Sequence, residues 1–161
     1  MSSEFLRVFV YGTLKRGQRN HLRFCGKAVA IETASVTGRL FFLPAGYPML
    51  QVPPESILAL GTNNAAADLA TQLLKNQAAQ QLPPAASDHW DAIEGELISF
   101  ASDPPALQRL DYLEDYRPGE SRSTYLRALV PLLGTSKSAW TYVAPNGQLP
   151  ADGRRIGTSW P

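Results

Sequence analysis

Short apolar runs separated by glycine and proline make up much of the chain, and this pattern predicts more strands than helices. The first run, Phe5 to Tyr11, is almost wholly apolar and rich in aromatic and β-branched residues, which is typical of a buried strand. Gly12 ends that run and begins a loop. We predict further strand segments at residues 28–32, 35–43, 49–52, 92–100, 124–133 and 138–144.

Two longer helices are predicted between these strands. Leu69 and Leu73 recur at helical spacing in a stretch that carries few charges. A second helix is expected to begin at Asp103, which can cap the first turn and is followed by proline. Residues 55–90 are rich in Ala and Gln and too weakly apolar to form a core alone. We therefore interpret them as an insertion into a single domain that spans residues 1–161.

The composition is that of a globular domain without a strong excess of charge. Fifteen Lys and Arg stand against 14 Asp and Glu in 161 residues, so the net charge is +1. This balance argues against a globally basic nucleic-acid-binding protein. The single cysteine, Cys25, excludes a disulfide within the chain and favours a reducing compartment. We see neither a run long enough to span a membrane nor a signal-peptide pattern, and we expect a cytoplasmic protein.

Few residues in the chain suit metal or nucleotide chemistry. There are two histidines, His21 and His89, and no cluster of Cys or His, so a zinc site is not expected. Glycine-rich motifs for dinucleotides or phosphates are also missing from the sequence. His21 and Cys25 are four residues apart and could form a nucleophile pair on one helical turn. A half-buried cysteine beside a surface histidine is the simpler interpretation.

Two segments carry the strongest indication of chemistry: the loop after the first strand and an acidic segment further along. In the Tyr11-Gly12-Thr13 loop, successive backbone N–H groups can converge on an anion or a carbonyl oxygen, because glycine permits the turn. Glu114 lies at the end of the second predicted helix, where the helix field and the neighbouring Asp115 disfavour its ionised form. Such a carboxyl group can shuttle protons. The alternative is a surface acid at a helix end.

These motifs, in this order along the chain, resemble the γ-glutamylcyclotransferase-like family, of the AIG2-like, γ-glutamylamine cyclotransferase type. The resemblance covers residues 7–53 and 91–143, and residues 55–90 depart from it. Thr158-Ser159 stands where relatives often carry Gly-Asp. The segments that carry the resemblance are Val8 to Gly17 followed by Asn20-His21, Gly46-Tyr47-Pro48, Ile93 to Leu97, Leu110-Asp111-x-x-Glu114 and Tyr125-x-Arg127.

The resemblance implies an α+β fold, with a small mixed β-barrel-like sheet and flanking helices. It also implies an enzyme that needs neither a cofactor nor a metal. The α-amine of a small γ-glutamyl substrate attacks the side-chain carbonyl, which gives 5-oxoproline and a free amine or amino acid. By the same resemblance, Glu114 is the catalytic residue. The implied substrate-binding residues are Tyr11, Gly12, Thr13 and Leu14 of the loop, with Tyr125 and Arg127 lining or bracing the site.

Three other functions stay open at this point. A non-catalytic domain that binds a small ligand resembling an acidic amino acid could retain the same pocket. A protein-interaction module could use the insertion at residues 55–90. RNA binding through the basic N-terminal loop is the least favoured, and it predicts a strong dependence on salt. The identity of the leaving amine and the oligomeric state are left open, because substrates within the family range from glutathione to γ-glutamyl-lysine amides and antibiotic intermediates.

Overall fold

The apolar runs fold into eight β-strands and one α-helix in the part of the chain that the structure describes. This computed structural model describes residues 5–12, 30–43, 48–62, 64–79, 90–101, 125–135, 137–144 and 154–155. The strands are β1 (Phe5–Val10), β2 (Ala30–Phe42), β3 (Pro48–Gln51), β4 (Ala59–Leu60), β5 (Asp91–Ala101), β6 (Leu126–Pro131), β7 (Ser138–Val143) and β8 (Arg154–Arg155). A 3₁₀ turn (Pro54–Ser56) precedes β4, and helix α1 (Ala65–Ala79) follows β4.

Five of the strands close into a barrel. Around the ring, β1 pairs with β5, β5 with β2, and β2 with β3, all antiparallel. Strand β7 then pairs in parallel with both β3 and β1, which closes the circle. Outside the ring, β6 pairs with β7, β4 with β6, and β8 with β2. The predicted α+β fold with a mixed, barrel-like sheet is therefore confirmed.

Alternation along the barrel strands divides the buried apolar side chains into two clusters, one inside the ring and one on its outer face. Leu69 of α1 packs against one of the two clusters, and that cluster is therefore the one on the outer face of the ring. The interior cluster is centred on Phe9, Tyr11, Val36, Leu40, Leu50, Ile93, Leu97, Ala139 and Val143. The outer-face cluster is centred on Leu6, Val8, Val10, Met49, Ile98, Phe100, Tyr125, Leu129, Trp140 and Tyr142.

Strand β2 is one continuous element, so the prediction of two segments at 28–32 and 35–43 was wrong. It pairs with β5 without interruption from Ala30 opposite Ser99 to Gly38 opposite Asp91. Glu32 and Thr33 are exposed and break the apolar pattern. Backbone hydrogen bonds do not depend on hydropathy, so the ladder continues through these polar positions.

Helix α1 confirms the helix predicted around Leu69 and Leu73, but its buried face is more polar than the pattern suggested. Asp68 and Gln72 are buried, whereas Leu74 is 76% exposed. Gln72 accepts a hydrogen bond at 2.9 Å from the backbone N–H of Arg7 on β1. The helix therefore docks on β1, β6 and β7 partly through polar groups. That residues 55–90 are an insertion into one domain stays a prediction.

Strands β6 and β7 form the predicted hairpin. Their register runs from Leu126 opposite Val143 to Pro131 opposite Ser138. Gly134 in the connection has a φ of 71°, in the left-handed region that glycine adopts without strain. The helix predicted from Asp103 lies outside the described residues. The described residues contain no helix that is both long and apolar enough to cross a membrane.

Arg7 on β1 offers a test of the packing. It is only 7% exposed, and its Nη1 finds no hydrogen-bond partner among the described residues. Burial lowers the pKa of Arg7, and the negative charge of Glu32 opposes that shift. A buried donor without a partner costs free energy that an apolar side chain of similar length avoids.

We expect Arg7→Met to stabilise the fold by about 1 kcal/mol, raising the melting temperature by roughly 3 °C. Arg39→Met is the matched control, because the Arg39 guanidinium lies 4.1 Å from the centre of the Trp90 ring and its loss should lower the melting temperature. Thermal unfolding followed by circular dichroism measures both. A fall in melting temperature for Arg7→Met would contradict the interpretation that burial of the Arg7 guanidinium costs stability.

Candidate functional site

Strand β7 closes the barrel through few backbone pairings. It meets β1 at a single register pair, Val8 opposite Trp140. It meets β3 at a single pair as well, Leu50 opposite Val143, with the N–H of Ala144 donating to the carbonyl of Leu50 at 2.8 Å. Side-chain hydrogen bonds must therefore supply much of the connection at this seam.

The Tyr11 hydroxyl joins three strands at the seam. Tyr11 directly follows β1, and its hydroxyl donates to the carbonyl of Tyr142 on β7 at 2.5 Å. The same oxygen accepts from the N–H of Leu50 on β3 at 3.2 Å. Thr141 adds a second link, because its hydroxyl donates to the carbonyl of Phe9 at 2.9 Å. A buried tyrosine with both of these partners is satisfied and rigid.

Gly12 and Tyr125 both lie against Pro48, the first residue of β3. A Cβ added at Gly12 would come within 2.9 Å of Pro48 Cγ, so only glycine fits there without displacing the ring. The Tyr125 hydroxyl donates to the Pro48 carbonyl at 2.9 Å. Gly12 and Tyr125, which are far apart in the sequence, therefore meet at the same residue.

Arg127 is held in a buried polar network with α1 and with the residues just before it. Its Nη1 donates to Asp68 Oδ2 at 2.8 Å, and its Nη2 donates to the carbonyl of Thr62 at 2.8 Å. The guanidinium carbon also lies 5.2 Å from the centre of the Trp140 ring. Arg127 therefore braces β6 against α1, and its charge is balanced by a carboxylate that is equally buried.

The structure brings some of the predicted site residues together. Gly12 and Tyr125 both contact Pro48, and the Tyr11 hydroxyl accepts from the N–H of Leu50, two residues further along β3. Arg127 is two residues beyond Tyr125 in the sequence. The remaining predicted residues, Thr13, Leu14 and Glu114, lie outside the described residues.

Sequence reasoning missed the polar partners of these residues. Asp68 carried a signal, because it is one of only three charged residues between positions 55 and 87. Pro48 was noted only as part of the Gly46-Tyr47-Pro48 segment, and nothing in the local sequence shows that its carbonyl would accept from Tyr125. Among the residues that the structure describes, no group of three or more His, Cys, Asp or Glu is arranged to hold a metal ion.

The comparisons with known proteins agree with one another on the family. The family model described as gamma-glutamyl cyclotransferase, AIG2-like, matches residues 8–71 and 59–160. A curated relative, the gamma-L-glutamyl-butirosin B gamma-glutamyl cyclotransferase of Niallia circulans, is 27% identical over 139 residues, which cover 84% of this chain. The chain spans 65% of that relative's length.

Solved structures of similar fold include an AIG2-like protein from Mus musculus. That structure has a TM-score of 0.59 and 18% identity, over 98% of this chain and 88% of the other. A uropathogenic Escherichia coli-specific protein has a TM-score of 0.54 and 13% identity, over 97% and 89% of the two chains. At these identities the likeness shows the fold alone.

We expect Tyr11→Phe to destabilise the protein more than Tyr125→Phe does. The first change leaves a buried carbonyl and a buried N–H without their hydroxyl partner, at a cost of about 2 kcal/mol or more. The second removes the hydrogen bond from the hydroxyl to the Pro48 carbonyl, at about 1 kcal/mol. Urea unfolding at equilibrium measures both values. Equal losses, or the reverse order, would contradict the role of Tyr11 at the seam.

Proposed function

The chain belongs to the γ-glutamyl cyclotransferase, AIG2-like family, and from that premise we propose that it cleaves a small γ-glutamyl compound by cyclisation. The α-amine nitrogen of the glutamyl group attacks its own side-chain carbonyl carbon. The bond from that carbon to the substituent nitrogen then breaks. The products are 5-oxoproline and a free amine or amino acid.

Proton movements set the chemical demand on the protein. The attacking ammonium must lose a proton before it is nucleophilic, and the departing nitrogen must gain one before it leaves. One carboxyl group placed between the two nitrogens does both jobs and returns to its starting state. We assign this role to Glu114, the residue that matches the family's catalytic glutamate. The reaction consumes no water and transfers no electrons, so a metal or organic cofactor has no required step.

Holding the substrate bent supplies much of the acceleration. The attacking and accepting groups belong to one molecule, and a well-oriented intramolecular reaction corresponds to an effective molarity on the order of 10⁵ M or higher. We propose that the loop Tyr11-Gly12-Thr13-Leu14 grips the glutamyl end through its backbone N–H groups. The same donors would stabilise the negative charge that develops on the carbonyl oxygen, which is worth a few kcal/mol.

The observation that supports this proposal most directly is the meeting of Gly12 and Tyr125 at Pro48. Thr13 and Leu14 follow Gly12 directly in the sequence, and Glu114 precedes Tyr125 by eleven residues, so the chain on either side of the proposed site meets the barrel at Pro48. We propose that Tyr11, through the N–H of Leu50, and Tyr125, through the carbonyl of Pro48, hold β3 beside the site, and that Arg127 braces β6 from the side of α1.

The proposal predicts turnover that depends on one carboxyl group. A panel of γ-glutamyl amines, γ-glutamyl amino acids, glutathione and a γ-glutamyl amide of an aminoglycoside-type amine is incubated with the protein, and 5-oxoproline is measured by chromatography. We expect product from at least one class. We expect Glu114→Gln to lower kcat by about 10²-fold or more, because the amide cannot move a proton. Its melting temperature should stay within ~2 °C of the wild type.

Glu55→Gln is the matched control, since it makes the same change of acid to amide at an exposed residue outside the predicted site. Comparable loss in both variants would mean that net charge rather than proton transfer matters. Binding of glutamate or 5-oxoproline by calorimetry, with no product from any substrate class, would instead favour a ligand-binding domain that retains the pocket.

A further inference from the structure

The strongest unassigned feature is the buried ion pair between Asp68 on α1 and Arg127 on β6. The two side chains are 2% and 1% exposed, and the Nη1–Oδ2 distance is 2.8 Å. Thr62 completes the pair on the other side. Its backbone N–H donates to Asp68 Oδ2 at 3.0 Å, and its hydroxyl donates to Oδ1 at 2.8 Å. The carboxylate thus has partners on both oxygens, which is the condition under which burying two charges is tolerated.

The guanidinium has little room to move. A Cβ added at Gly61 would come within 2.8 Å of the guanidinium carbon, so the backbone of Gly61 passes directly over Arg127. The ring of Trp140, which belongs to the outer-face cluster, has its centre 5.2 Å from the guanidinium carbon of Arg127. Backbone hydrogen bonds of 2.8 Å from Gly61 N–H to the Arg127 carbonyl, and from Leu58 N–H to the Leu129 carbonyl, fix this part of β6.

This network is attached to the candidate site by two short paths. Arg127 is two residues from Tyr125, whose hydroxyl reaches Pro48. It also lies opposite Tyr142 in the β6–β7 register, and the Tyr142 carbonyl is the acceptor for Tyr11. A shift of β6 at Arg127 therefore reaches both tyrosines whose hydroxyl groups hydrogen-bond to β3.

We propose that Asp68 is a positioning residue, which acts through Arg127 on β6 to hold Tyr125 against Pro48. The helix outside the barrel thereby sets the geometry of the site, although it contributes no group that touches the substrate. This inference rests on the proposed function. It also assigns a role to residues 65–79, which the resemblance to the family left unexplained.

Kinetics of the folded enzyme separate positioning from simple stability. Asp68→Asn keeps the size of the side chain but removes the carboxylate charge that pairs with Arg127. We expect kcat/KM to fall on the order of ten- to a hundredfold, as for a displacement of about 1 Å at a reacting centre. Asp68→Glu restores the charge and should recover part of the loss. The double variant Asp68→Asn with Arg127→Gln should lose no more than Arg127→Gln alone, because both changes act at one contact.

Leu69→Ala is the matched control. Leu69 is adjacent on the same helix and packs on the outer-face cluster, so its truncation destabilises α1 without touching the pair. We expect kcat/KM within about twofold of wild type for this variant, when assayed at a temperature where it is fully folded. If Leu69→Ala loses as much activity as Asp68→Asn, or if Asp68→Asn keeps wild-type kcat/KM, the proposal is overturned.

Hydrogen exchange tests the same proposal without any substrate. In Asp68→Asn, amide exchange should accelerate at least about tenfold at residues 58–61 and 126–130, whereas the β2–β5 ladder should keep its protection. Unchanged exchange at 126–130 would refute the positioning role even if the enzyme is active. The two proposals can fail separately. If exchange on β6 becomes faster in Asp68→Asn but the wild-type protein turns over no substrate, the proposed function is refuted, whereas the effect of Asp68 on the position of β6 is supported.

Thr62→Val covers the case in which Asp68→Asn does not fold. This change removes the hydroxyl that donates to Asp68 but leaves both charges in place. It should produce the same pattern of local exchange, and a smaller, several-fold loss in kcat/KM. A variant indistinguishable from wild type in both measurements would count against the proposal.

Discussion

The hydrogen bonds of the Tyr11 hydroxyl are the contact on which the closure of this barrel depends. Strand β7 meets each of its two parallel neighbours at a single register pair, so the backbone alone joins the ring weakly at that seam. Tyr11 donates across it to Tyr142 and accepts from Leu50, which connects the end of β1 to both other strands. Because Gly12 and the proposed binding loop follow at once, the residue that closes the barrel also fixes where that loop begins.

Polar contacts also hold helix α1 against the outside of the ring. Helix α1 covers apolar side chains of the outer-face cluster, but Asp68 and Gln72 make its most specific contacts, to Arg127 and to the backbone of β1. A buried ion pair contributes little net stability compared with apolar packing, yet it tolerates only one arrangement of its partners. The polar contacts of Asp68 and Gln72 therefore fix the orientation of a helix that is only weakly apolar and whose Leu74 is exposed.

Local patterns were sufficient for most of the strands and for the class of fold. Strands β1, β6 and β7 are buried at successive positions, and their apolar character reports this directly. In β5 only residues 97–100 are buried at successive positions, and the first half of the strand alternates. The parallel closure at β7 could not be derived in this way, since the partners of Tyr11 lie 39 and 131 residues away. The continuity of β2 was missed because its polar centre is supported by the ladder. For the candidate site, Tyr11, Gly12 and Tyr125 were predicted by resemblance and stay a prediction. Pro48 and Asp68 make three-dimensional contacts with Tyr125 and Arg127 that no spacing rule encodes.

The central claim is that one bound molecule touches both the loop after Gly12 and the acid at position 114. A crystal structure of the protein with 5-oxoproline bound tests this most directly, because the product retains the glutamyl carboxylate and the ring that the reaction forms. The account predicts that backbone N–H groups of Thr13 or Leu14 and the carboxyl group of Glu114 contact the same molecule, close to Pro48. A product molecule bound away from Pro48, or held by the loop with the Glu114 carboxyl group far outside hydrogen-bonding distance, would contradict it.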